Sequence, residues 1–233
     1  SQETFVPFRQ RARMRGGLLD FIKIGNFPSP ELIVKHLLWL SQEGLGPPEY
    51  DVYEVYRVLN QQAGKLPEET MRFLCDRNCV YAEGIGYCNA TRIFWNTHPF
   101  GSYRQKASDQ LRNYYDVLKR IGVREEPELK DYVDVLLDIS EKFGTSNKPL
   151  DEETQAMVKN IYAFLSLHES EFPDDSMARL SQRKVVLDRS KLLRIPNQIF
   201  FEDKGIAADI FRDRLRGELI DKEPNTWRFL ERL

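Results

Sequence analysis

Cysteine is scarce and odd in number in this chain of 233 residues: Cys75, Cys79 and Cys88 are the whole set. So few thiols cannot form a disulfide framework, and they point to a reduced, intracellular protein, with the cytoplasm as the expected location. Long apolar runs are missing too. No stretch approaches the roughly eighteen residues a spanning helix needs, so no membrane partner is expected. A basic leader followed by an apolar segment is absent, and nothing suggests secretion. Asn89-Ala90-Thr91 fits the glycosylation pattern, but without a leader it reads as a chance match. Charge of one sign is lacking: 34 basic residues face 36 acidic ones. Bulk composition therefore gives no reason to expect a polyanion. Nucleophile motifs are also lacking. His36, His98 and His168 are far apart, and none belongs to a recognisable Ser- or Cys-based triad. Most carboxylates lie on helical faces beside Lys and Arg, where they read as solvated surface.

What is present is a core. Hydrophobic residues make up 41% and aromatics 12%, which describes a folded chain and not a disordered tail. The length suits one large domain or two ordinary ones.

The chain also resembles itself. Residues 52–95 align with 158–201 without a gap, and ten of those 44 positions are identical. They are Val52/Val158, Tyr56/Tyr162, Leu59/Leu165, Pro67/Pro173, Met71/Met177, Leu74/Leu180, Arg77/Arg183, Val80/Val186, Ile93/Ile199 and Phe94/Phe200. Chance would give about two or three. Outside this block, Lys23-Ile24-Gly25 parallels Arg120-Ile121-Gly122, and Pro30-Glu31-Leu32 parallels Pro127-Glu128-Leu129. A polar insertion, Gly144 to Pro149, absorbs the change of spacing. Leu118-Lys119-Arg120-Ile121 parallels Leu230-Glu231-Arg232-Leu233, so the parent chain is expected to continue. Helical amphipathicity alone aligns leucines. It does not align prolines, arginines and an Ile-Phe pair in one frame.

Each copy reads as a short series of helices around a hairpin. Ser29 is a predicted N-cap with Pro30 at the first helical position, and Gly44 ends that helix. In the second copy Leu129 to Ile139 has the same period and ends at Gly144. Val52, Val55, Tyr56, Val58 and Leu59 form one face of a second helix, as do Val158, Ile161, Tyr162, Phe164 and Leu165. A short helix follows each proline, Pro67 and Pro173. Residues 77–95 then read as two strands around Glu83-Gly84-Ile85-Gly86, and 184–201 as two around Asp188-Arg189-Ser190. Helices are expected over 104–121, 206–216 and 225–233. The predicted fold is α+β: a mainly helical tandem repeat of two units, each with two to four helices plus a β-hairpin. Residues 1–25 would be the end of a preceding unit (an extended segment plus a helix), with 26–121 the first full unit and 122–233 the second.

Two segments carry a family resemblance. The strand–turn–strand cadence from Val186 to Phe201, followed by Glu202-Asp203, is one. Leu118-Lys119-Arg120-Ile121-Gly122-Val123-Arg124 is the other. Together they resemble repeat regions of sacsin-like and NO VEIN-like proteins, large chains with a gyrase/histidine-kinase-type ATPase fold at one end. The resemblance implies a cytoplasmic parent with a chaperone-like role or, in bacteria, a defence-related one. The acidic–asparagine helix motif and the Asp-x-Gly-x-Gly motif of such ATPases are absent, so no nucleotide-binding or catalytic residue carries over.

Four candidate sites remain. Cys75, Cys79, Cys88 and His98 have the ligand types for zinc, but their spacing fits no common finger. The counterparts of the cysteines are Ser181, Val185 and Arg194, which favours packing for Cys79. Gly84-Ile85-Gly86 is a glycine pair, but a strand follows it, not the helix N-terminus a phosphate loop needs. Arg9, Arg11, Arg13 and Arg15 alternate along an extended segment and are a candidate nucleic-acid contact, weighed against a solvated edge strand. Tyr50, Tyr53, Tyr56, Tyr81, Tyr87, Trp95, Tyr114 and Tyr115 are numerous enough to stack bases, but Tyr56 and Trp95 have aromatic counterparts and read as core. No catalytic, cofactor-binding or metal residue is assigned. The expected function is a non-catalytic structural or interaction module of a large sacsin-like ATPase, whose partners are other domains of the parent or a protein client. The alternative is a nucleic-acid-contacting module of a bacterial defence or repair protein.

Overall fold

The first described helix starts where the sequence places a cap. In the computed structural model, which describes residues 29–47, 51–146, 148–201, 219–220 and 227–233, Ser29 is extended and its side chain accepts from the Leu32 N–H. Helix α1 (Pro30–Glu43) ends at Gly44, whose φ of 66° lets its N–H turn back to the Leu40 and Ser41 carbonyls. The Asp51 carboxylate caps α2 (Val52–Gln61) by accepting from the Glu54 N–H. Val52, Val55, Tyr56, Val58 and Leu59 are all buried, as the period predicts. Helix α3 (Glu68–Cys75) follows Pro67. Strands β1 (Asn78–Ala82) and β2 (Gly86–Asn89) then form an antiparallel hairpin with Tyr81 opposite Tyr87. A bulge between Asn78 and Val80 breaks their register.

That bulge is where helix and hairpin are joined. Buried Tyr56 donates its hydroxyl to the Cys79 carbonyl at 2.8 Å and accepts from the Tyr81 N–H at 2.7 Å. One side chain thus satisfies two backbone groups on the inner side of the irregular strand, both expensive to bury unpaired.

The same device occurs again later in the chain. Helices α4 (Tyr115–Arg120), α5 (Leu129–Phe143), α6 (Glu152–Leu167) and α7 (Asp174–Ser181) lead to a second hairpin, β5 (Val186–Leu187) with β6 (Leu193–Arg194). On α6, Tyr162 donates to the Val185 carbonyl and accepts from the Leu187 N–H at 3.0 Å. Tyr162, Val185 and Leu187 each lie 106 positions after Tyr56, Cys79 and Tyr81. The 3-10 turns Ala63–Lys65 and Ala90–Arg92 recur at the same offset as Glu169–Glu171 and Pro196–Gln198. The hairpin tips differ. Gly84 and Gly86 supply the left-handed backbone in the first, at φ 78° and 99°. In the second, Lys191 takes φ 64°, and buried Asp188 holds the loop by accepting from the Leu192 N–H and the Arg194 guanidinium.

The structure corrects two expectations. Ile93 and Phe94 do not extend the hairpin. They form a separate strand, β3, parallel to β4 (Gln105–Lys106). Of the polar and closing helices expected over 104–121, only the closing one is α-helical, Tyr115–Arg120: before it β4 leads to a 3-10 segment, Asp109–Tyr114. Tertiary pairing outweighs local pattern here. The Ala107 N–H bonds the Phe94 carbonyl at 2.8 Å, and extended Arg104 is buried in an ion pair with Asp138. On its other side β3 takes Arg124 and Glu125, through Trp95 N–H to the Arg124 carbonyl and Asn96 N–H to the Glu125 carbonyl. A further parallel pair, β7 (Phe200–Phe201) with β8 (Leu219–Ile220), precedes α8 (Trp227–Arg232). The stretches 1–25 and 206–216 lie outside the described residues.

The described chain is thus α+β, and its contacts divide it into two compact units. Of the described residues, one unit holds those up to Ala90 together with Ser108–Gly122; the other holds Thr91–Ala107 and those from Val123 onward. Ile33, Leu37, Val55, Leu59, Leu74 and Val117 are among the buried core of the first. Phe94, Phe100, Leu136, Ile161, Leu165 and Phe229 are among that of the second.

Replacing Tyr56 or Tyr162 by Phe leaves a carbonyl and an N–H without their partner. Each substitution should cost about 1–3 kcal/mol in urea unfolding, against less than about 0.5 kcal/mol for Tyr53→Phe, whose hydroxyl bridges no buried backbone pair. Burial holds both clasp phenols above the ordinary tyrosine range. A raised phenol contributes stability that is complete below about pH 10 and is lost as pH rises beyond it. The unfolding free energy should therefore fall above about pH 10, and less steeply in the double Phe variant.

Candidate functional site

Four tyrosines gather on the first unit around the clasp residue. Tyr53, one turn before Tyr56 on α2, meets the Tyr81 ring edge-on at 6.4 Å and lies nearly parallel to Tyr114 at 6.4 Å. Tyr81 and Tyr87 meet edge-to-face at 5.4 Å across the hairpin. The loop after α1 fixes two of these rings. Tyr87 donates to the Leu45 carbonyl at 2.8 Å, and a Cβ on Gly46 would come within 2.5 Å of the Tyr81 ring. Tyr53, Tyr81, Tyr87 and Tyr114 are all half-buried, so each keeps part of its surface in solvent.

Carboxylates border this cluster. After burial, Glu83 is the largest cause raising the Tyr53 phenol, with Asp51 also contributing. After burial, Asp51 and then Glu54 raise Tyr114, opposed by Arg57. Glu54 is neutralised by a two-pronged contact from Arg57. Asp51 and Glu83 are exposed and make no ion pair among the described residues. The first unit thus presents partly exposed aromatic surface in a negative field. No counterpart exists 106 positions on: Tyr53, Tyr81 and Tyr87 match Lys159, Leu187 and Leu193, while Asp51 and Glu83 match Met157 and Arg189.

The structure does not assemble the cysteine–histidine set. The Cys75 thiol points at the Arg120 carbonyl and the fully buried Cys79 thiol at the Leu74 carbonyl, while Cys88 is half-buried on β2. His98 belongs to the other compact unit, where its Nδ1 accepts from the Phe100 N–H and its ring stacks on Phe100. Among the described residues no three His, Cys, Asp or Glu side chains are grouped as metal ligands. Gly84 and Gly86 sit in the hairpin turn, followed by a strand. Arg9, Arg11, Arg13, Arg15 and Tyr50 lie outside the described residues. His36 is on α1 and His168 caps the end of α6, where it faces Glu171.

Sequence reading missed the buried charges of the second unit. Asp138 accepts from Arg104, which is only 4% exposed, and from Arg92. Asp131 takes Arg124 at 2.5 Å and also accepts from the Glu128 N–H in a capping box. The Arg124–Asp131 pair ties the segment beside β3 to the first turn of α5, with the Arg124 guanidinium over the Phe94 ring. Their partners are distant in sequence or fall on different elements, so no short motif announces them. The tyrosine–carboxylate cluster did leave a signal: Tyr53, Tyr81 and Tyr87 have no aromatic counterparts.

No family description, curated protein or solved structure matches the chain. Among the described residues no helix is long and apolar enough to cross a membrane.

Burial pushes the Cys79 thiol up to about 12 and raises Cys75 less. With a disulfide exchange reagent at neutral pH, Cys79 should stay protected in the native protein and react only on unfolding. Rapid native labelling of Cys79 would contradict the packing role.

Proposed function

We propose that the chain is a non-catalytic interaction module built from two copies of one α+β unit, belonging to a large cytoplasmic protein of the sacsin-like kind. The observation that carries the reading is the tyrosine clasp. Tyr56 and Tyr162 join a helix to a hairpin through the same two backbone groups, at positions 106 apart. What the two copies share is packing: prolines, clasp tyrosines and core aliphatics. What they do not share is any polar constellation arranged for chemistry, which favours binding over catalysis.

The sacsin-like assignment draws its support from the cadence residues. Leu118, Ile121 and Val123 are buried, and Arg124 reaches the edge of β3 and the buried Asp131 carboxylate. The cadence therefore spells out a closure between strand and helix, the kind of feature a repeated unit keeps for packing. The partner would be another domain of the parent or a protein client.

Purified chain should hydrolyse ATP no faster than buffer and should leave single- and double-stranded DNA intact. Turnover of either by the unaided chain, abolished by substitution of a polar residue described above, would overturn the reading. A titration with DNA at about 50 mM salt addresses the nucleic-acid alternative, since phosphate-driven binding is strongest there.

A further inference from the structure

We infer that the tyrosine cluster of the first unit is a docking site for a lysine-bearing segment of a protein partner, with Tyr53 and Tyr114 as the surface that receives the ammonium group. The inference rests on the reading of the chain as an interaction module and names what that module takes.

Three observations support it. The first is that three of the four rings have no aromatic counterpart 106 positions on. The clasp tyrosine is kept in both hairpins, so the fold needs it. Tyr53, Tyr81 and Tyr87 give way to Lys159, Leu187 and Leu193 in the second, so a hairpin of this form closes without them. The second is placement. Tyr81 is held against Gly46 and Tyr87 is bonded to the Leu45 carbonyl, which fixes two of the rings. Tyr53 and Tyr114 lie with their rings 18° from parallel and part of their surface in solvent. Side chains held this way lose little further freedom when a ligand arrives. The third is charge. Asp51, the α2 cap two residues before Tyr53, and Glu83, in the hairpin turn two residues after Tyr81, act on these phenols and have no ion-pair partner among the described residues, while the Arg57 guanidinium is paired with Glu54. Tyrosine faces attract cations, and flanking carboxylates add to that attraction. A polyanion would meet the opposite field, so nucleic acid is the wrong occupant for this surface.

The aliphatic stem of lysine suits the same place. It can lie along the partly buried rings while its ammonium reaches Asp51 or Glu83. A lone ammonium ion would lack that apolar contact, and a norleucine side chain would lack the charge.

The test uses the full chain and three labelled decapeptides differing only at four positions, which carry lysine, norleucine or glutamate. At about 50 mM salt the lysine peptide should bind, the norleucine peptide should bind about tenfold more weakly, and the glutamate peptide should not bind. Raising salt to about 500 mM should weaken the lysine complex several-fold. Tyr53→Leu and Tyr114→Leu should each weaken it about fivefold to tenfold, whereas Tyr53→Phe, which keeps the ring, should bind like the native chain. Glu83→Gln should cost about threefold. Equal affinity for lysine and norleucine peptides would overturn the inference, as would lysine-peptide binding unchanged in the Tyr53→Leu/Tyr114→Leu chain, or none by the native chain. Oligonucleotide binding that the same double substitution abolishes would assign the surface to nucleic acid instead. Failure of peptide binding without ATP or DNA turnover removes this site alone, while turnover by the unaided chain removes the module reading beneath it.

Discussion

Two buried hydroxyls decide how helix and hairpin meet in this protein. Each hairpin leaves a carbonyl and an N–H of its first-strand segment facing the helix, and an apolar neighbour cannot satisfy them. Tyr56 and Tyr162 fill space with their rings and supply, at the ring tip, one donor and one acceptor in line with the groups that need them. That junction fixes each helix to the backbone of the strand segment it covers. An aliphatic residue of similar volume would pack but leave the two backbone groups unpaired.

The second organising element is the small parallel ladder centred on β3. Ile93 and Phe94 are both fully buried, and each edge of their strand is used, by Gln105–Lys106 on one side and Arg124–Glu125 on the other. Ion pairs at Asp131 and Asp138 hold the flanking segments. Buried charges of this sort add little net stability when intact but are costly to break, so they specify one arrangement of the chain. The tyrosine cluster differs in kind: it is half-exposed, charged on one side, and absent from the second hairpin.

Features that depend on near neighbours were legible in the sequence. The Ser29 cap, the Gly44 terminus, the buried face of α2 and the two hairpins follow from side-chain period and from the special needs of proline and glycine. The start of the region 104–121 was not legible, because Gln105–Lys106 is committed to a strand whose partner lies elsewhere in the chain; the closing helix, Tyr115–Arg120, was. Arg104 illustrates the difficulty: it reads as a surface cation, yet Asp138, 34 positions away, takes it into the interior. At the candidate site the aromatics were visible as a group, but the carboxylates beside them were not. Glu83 belongs to a hairpin tip and Asp51 to a helix cap, and only folding brings them to the same rings.

The path of the chain between the compact units has a consequence for any attempt to divide them. The backbone passes from one to the other after Ala90, returns after Ala107, and leaves again after Gly122. No single scission yields two intact bodies. A fragment ending at Gly122 would keep Phe94 and Phe100 but lose Tyr132, against which Phe100 packs at 4.8 Å, and would carry bare aromatic surface in water. A fragment beginning at Val123 would lack two of the largest rings of its own core. Genetic dissection at the boundary that sequence similarity suggests would therefore produce two sticky halves, and a mapping study based on such halves would mistake exposed interior for a binding surface.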